Sequence, residues 1–75
     1  MQTKEQFQEY IKQEQQRCRR ELDELDRELE AMEAEIQMFS ENNPDPASKA
    51  MCRVLLDECF SRRLHINRAR HALAF

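Results

Sequence analysis

The chain has 75 residues, 36% of them charged and 40% apolar, with no glycine, no tryptophan, two prolines and a formal charge of −3. That length allows one small domain with little core of its own. The lack of glycine excludes a glycine-rich phosphate loop, a dinucleotide fingerprint and a tight type I′ hairpin, and so short a chain hardly walls a pocket of roughly several hundred Å³, so neither an enzyme nor a cofactor is expected.

Thr3 followed by Gln6 has the form of a capping box and sets the start of a first helix. From Ile11 the apolar positions run 11, 18, 22, 25, 29, 32, 36 and 39, a step of seven and then alternating steps of four and three, which describe a coiled-coil seam. One heptad row is Ile11, Cys18, Leu25, Met32 and Phe39. The other is Leu22, Leu29 and Ile36, and turns polar at Gln8 and Gln15. The seam therefore weakens toward the N-terminus, where Phe7 and Tyr10 lie beside it. This helix is expected over about residues 4–40, roughly 55 Å at the helical rise.

A turn is expected over residues 41–45, within the stretch SENNPDP at 40–46. Asp45 with Pro46 reads as a cap followed by proline in the first helical position, and Asn42 or Asn43 is expected to close the first helix in the left-handed conformation. The second helix, about 46–73 and roughly 40 Å, has its best seam at Ala47, Met51, Val54, Leu55, Cys59, Ile66, Ala69 and Leu73. Glu58 and Arg62 interrupt that stripe and stand four apart, in the order that lets them pair.

So short a connection makes the helices antiparallel neighbours, giving an all-α two-helix coiled-coil hairpin. Its core is expected from Leu22, Leu25, Leu29, Met32, Ile36 and Phe39 on one side and Met51, Val54, Leu55, Ile66 and Leu73 on the other. Folding about residue 43 sets Phe39 near Ala47, Met32 near Val54, Leu25 near Arg62 and Cys18 near Ala69. The Glu21–Glu24 stretch then faces Arg62 and Arg63, and the first ten residues overhang.

The charge is unevenly laid out: Glu21 to Glu35 holds eight acids and one base, Arg27. Most of this reads as a solvated helix face. The arginines near 17–20 and 68–70 meet at the open end and offer a polyanion site, although Tyr10 is the one aromatic nearby and the negative net charge argues against nucleic acid. Cys18, Cys52 and Cys59 show no finger-like spacing with each other or with His65 and His71, so they read as reduced thiols in a reducing compartment, with no metal site and no nucleophile. No leader and no run near the roughly 20 apolar residues of a membrane span is visible, and a cytoplasmic location is expected.

The second helix carries another apolar row, Leu56, Phe60 and Leu64, spaced by four, with Phe75 near that side. A hairpin that buries one stripe per helix leaves such a row over. Three readings stand: it widens the intramolecular seam, it joins two copies in a four-helix bundle, or it docks a different protein. In the last case Leu56, Phe60 and Leu64 are the anchors, and Phe7, Tyr10 and Ile11 on the overhang form a second patch.

In size, hairpin architecture, acidic first helix and spare apolar row, with the Asn42-Asn-Pro-Asp-Pro46 turn between the helices, the chain resembles the small helical-hairpin co-chaperones of bacterial type III secretion, the needle-chaperone family of YscE/PscE type. The resemblance covers Thr3 to Leu73. It implies a cytoplasmic protein of a virulence apparatus that pairs with a helical-repeat chaperone and so keeps a secreted subunit soluble before export. The competing expectations are a homodimeric four-helix-bundle regulator that binds RNA and a structural coiled-coil subunit of a larger assembly.

Overall fold

The computed structural model describes residues 3–73. Two helices, α1 (Lys4–Asn42) and α2 (Pro46–Ala72), lie side by side as an antiparallel hairpin measuring 63 × 19 × 15 Å. The fold is all-α. Phe75, placed by the sequence near the spare row, lies outside the described residues.

Local chemistry accounts for the helix ends. The Gln6 amide donates to Thr3 Oγ1 at 3.2 Å and the Thr3 amide donates to Gln6 Oε1 at 3.0 Å, which completes the capping box. At the start of α2 the Ala47 amide and the Ser48 hydroxyl both donate to the Asp45 carboxylate, with Pro46 in the first turn. Arg70 and His71 occupy its last turn, where positive charge complements the helix dipole.

The turn itself closes differently from expectation. No described residue has positive φ, and Asn43 is extended at φ −114°, ψ 116°. Proline explains this: Asn43 precedes Pro44 and Asp45 precedes Pro46, and a residue before proline is pushed out of the helical region. Extended backbone at Asn43 and Asp45, on either side of Pro44, reverses the chain without a left-handed residue. The carbonyls freed at the end of α1 are met by side chains instead. Asn43 Nδ2 donates to the Phe39 carbonyl at 2.9 Å, and Lys49 reaches back from α2 to the Ser40 carbonyl at 3.0 Å. The lysine thereby places a cation at the negative end of α1, which has no basic residue in its last turn.

The seam is rotated from its expected position. The less exposed residues of α1 include Leu22, Asp26, Leu29, Glu33, Ile36 and Ser40, and those of α2 include Cys52, Leu56, Cys59, Arg63, Ile66 and Arg70. Both sets follow heptad spacing. Leu29, Cys52, Cys59 and Ile66 are buried, with Leu22 and Ile36 packed against the Leu29, Cys59 and Ile66 cluster and Leu73 half-buried. The row Leu25, Met32, Phe39 and the residues Met51, Val54 and Leu55 are exposed instead, between 41% and 67%.

Glu58 and Arg62 supply the reason. Packing on the Met51–Leu55 side of α2 puts both in the seam and strips them of water. The observed rotation leaves them outside, bonded to each other at 2.9 Å with both side chains exposed. In their place the seam takes Arg63 and Arg70, whose stems cover apolar surface while their heads find carboxylates.

The register moves as well. Met32 meets Cys59, whose thiol lies 3.9 Å from its sulfur, more than a turn beyond Val54. Arg63 meets Asp26 and Glu33, and Arg70 meets Asp23, so Arg63 lies opposite a later stretch of α1 than Glu21–Glu24. With 39 residues against 27, α1 outreaches α2 by about a dozen residues at its N-terminal end.

With so few buried residues, each one counts. Leu29→Ala is expected to lower unfolding free energy by about 2–3 kcal/mol, with an earlier denaturation midpoint followed by far-UV circular dichroism. Met32→Ala, on the exposed row, is expected to change it by under about 1 kcal/mol.

Candidate docking surface

Rotation of the seam divides the hairpin into two unlike faces. On one, a ladder of ion pairs crosses between the helices. Arg63 Nε donates to Asp26 Oδ1 at 3.0 Å and its Nη1 to Glu33 Oε2 at 3.1 Å. Arg70 Nη1 donates to Asp23 Oδ1 at 2.8 Å, and its Nη2 lies 3.9 Å from Asp26 Oδ2. Asp26 thus serves both arginines. The Asp26 hydrogen bond and the nearby carboxylates hold the Arg63 guanidinium above its ordinary pKa, so Arg63 stays charged wherever the helices persist.

On the other face runs an apolar trough. Near the turn, Ile36, Phe39, Met51, Cys52 and Leu55 line a hollow of about 440 Å³. It continues into one of about 360 Å³ that shares Ile36 and Leu55 and adds Leu29, Met32 and Cys59. A third, of about 440 Å³, takes over Leu29 and Met32 and ends at Leu25, His65 and Ile66. The shared residues make the three one groove, with the buried seam as its floor and the Leu25, Met32, Phe39 row as one wall. Met51, Leu55 and the Glu58–Arg62 pair form the other wall. Phe39 at 54% and Met51 at 67% exposure are large side chains with most of their apolar surface in water. Isolated exposed apolar residues are ordinary, but a contiguous strip is not.

The expected anchors are separated by this arrangement. Leu56 is half-buried in the seam, so that part of the spare row does widen the intramolecular contact. Phe60 and Leu64 remain exposed on the ion-pair face, beside a hollow of about 360 Å³ that also involves Arg63, Asn67 and Arg70. Phe7, Tyr10 and Ile11 are exposed on the part of α1 that α2 does not reach.

Other candidates are dispersed. Of the basic groups expected at the open end, Arg70 is paired with Asp23 and Arg17 with Glu14, while Arg19 and Arg20 line a hollow of about 410 Å³ with Asp23. The three cysteines are free, Cys52 and Cys59 inside the seam and Cys18 half-buried. Among the described residues no group of three metal-ligating side chains converges, and no helix is long and apolar enough to cross a membrane.

The trough is not evident from the sequence because heptad spacing alone places its residues in the core. A signal was present: Arg63 and Arg70 are seven apart, as are Asp26 and Glu33, and such matching heptad charges belong in a seam. No family model, no curated protein and no solved structure matches the chain.

The ion-pair ladder gives a test of the rotated seam. Arg63→Met is expected to lower the thermal midpoint, because Asp26 and Glu33 stay together with less compensation. Adding Asp26→Leu and Glu33→Leu to Arg63→Met is expected to recover most of that loss. If Arg63→Met leaves the midpoint unchanged, the ladder does not hold the seam.

Proposed function

We propose that the chain is a binding protein, a helical hairpin completed by a helix of another protein lying in the trough. The observation that carries this is the exposed strip of Leu25, Met32 and Phe39 facing Met51 and Leu55 across a groove. Covering a side chain of this size is worth about 1.5–3 kcal/mol when burial is complete, and the hairpin leaves this surface uncovered while its own seam includes Asp26, Glu33, Arg63 and Arg70. A third helix laid in the groove converts a thin two-helix contact into a three-helix core.

Within that class, the resemblance to small co-chaperones of type III secretion names the particular function. The hairpin stabilises a helical-repeat partner chaperone in the cytoplasm, and through it a secreted subunit. Length, hairpin architecture and an uncovered apolar face support this reading. In it the trough, with Leu25, Met32, Phe39, Met51 and Leu55, takes over the docking role that the sequence assigned to Leu56, Phe60 and Leu64.

The test is a pair of substitutions in the trough walls. Met32→Asp with Leu55→Asp is expected to keep the helical signal of the parent chain and to reduce affinity for the co-expressed partner by at least about tenfold, the equivalent of roughly 1.4 kcal/mol. Collapse of helicity in this variant would place both residues in the core. Unchanged partner recovery would remove the trough from the interface. Phe60→Asp is expected to leave partner binding within about twofold.

A further inference from the structure

Resting on the docking reading above, we infer that the occupant of the trough is a long amphipathic helix of a different protein, with basic residues flanking its apolar stripe. Two observations lead there, one electrostatic and one of length.

Glu21, Glu28 and Glu35 recur every seven residues, so they stand in one row along the outer edge of the Leu25, Met32 and Phe39 wall. All three are exposed, and Glu28 and Glu35 line the trough directly. No cation among the described residues lies within ion-pair distance of any of them, whereas the carboxylates of the opposite face are engaged by Arg63 and Arg70. The facing rim does not offset this charge, since Arg62 is bonded to Glu58.

A helix docked in the trough brings its own flanking positions against these glutamates, as the residues beside a coiled-coil seam do. Basic flanks make complementary pairs, and acidic flanks set like charges together in a partly dehydrated place. A second copy of this chain docked trough to trough suits the rim poorly. Set α1 against α1, it brings Glu21, Glu28 and Glu35 toward the same row. Set α1 against α2, it offers Arg62, already paired, and His65 to three carboxylates.

The apolar row sets the length of the occupant. It does not stop with α2 but runs from Phe39 through Met32, Leu25 and Cys18 to Ile11 on the overhang, where Phe7 and Tyr10 are also exposed. That is about 28 residues, roughly 42 Å of helix. An occupant matching the whole row spans about four heptads and covers the overhang as well as the hairpin.

The probes are two fluorescein-labelled synthetic 28-residue heptad peptides with leucine at both core positions, their flanking positions all lysine in one and all glutamate in the other. Each is titrated with the full chain and followed by anisotropy in about 0.1 M salt, where exposed charges still interact across about 10 Å. The lysine peptide is expected to bind at least about tenfold more tightly than the glutamate peptide. E21K/E28K/E35K is expected to reverse that preference. E9K/E41K/D57K makes the same change in net charge away from the trough and is expected to preserve it.

Loss of the preference in both triple variants means that net charge rather than the rim decides, and overturns the inference while leaving the docking reading standing. The same holds for equal binding of the two peptides. Failure of both peptides to bind, or binding indifferent to Met32→Asp, overturns the docking reading itself. A dimer of the chain alone in sedimentation, lost in Met32→Asp, would make a second copy the occupant and overturn the inference.

Discussion

Arg63 and Arg70, seven residues apart on α2, line one edge of the seam between the helices, and the rest of the geometry follows from where their guanidinium groups must go. A charge placed between two helices needs a counter-charge there, because removal from water is expensive unless the group is paired and hydrogen-bonded. Asp23, Asp26 and Glu33 are the carboxylates of α1 that meet this demand. Setting them against the arginines rotates α1 about its own axis, and the Leu22, Leu29 and Ile36 row comes to face Cys59 and Ile66. The Leu25, Met32 and Phe39 row is then moved from the seam to its open edge, where it stays largely exposed beside α2.

Such a seam binds two helices together with few buried groups. Four residues are buried in the described chain, two of them cysteines, whose small side chains add little apolar area. Much of the order therefore comes from local chemistry: the Thr3–Gln6 box, the Asp45 cap with Pro46, and Lys49 closing the end of α1. Helices fixed mainly by their ends and one narrow contact gain disproportionately from a third element. The same economy that leaves the hairpin thin leaves the trough open, so stability and binding draw on the same surface.

The two faces are thus suited to different work. The ion-pair face fixes register, since Arg63 and Arg70 satisfy Asp23, Asp26 and Glu33 together in one alignment of the helices. The trough face is chemically permissive by comparison, with Met32, Met51 and Leu55 offering adaptable apolar contact. An acidic rim on an apolar groove then supplies the selectivity that apolar contact lacks.

Much of this was legible from the residues. Two helices, one turn and an antiparallel pairing followed from heptad steps of three and four, the absence of glycine, and one proline cluster, because these act through local backbone geometry. The capping box, the Asp45–Pro46 start and the Glu58–Arg62 pair were equally local. Closure of α1 was misread at Asn42 and Asn43, where the prolines that follow hold the backbone extended and side chains cap the helix instead. What only the tertiary structure decided was the rotation of each helix about its axis. Helix α1 carries two adjacent apolar rows, both expected in the seam, and a rotation that alters no local preference keeps the Leu22 row there while Asp26 and Glu33 replace the Leu25 row. The choice fell to ion pairing between residues 37 and 47 positions apart in sequence. It moved Leu25, Met32, Phe39, Met51, Val54 and Leu55 from core to surface, and brought Leu56 into the seam.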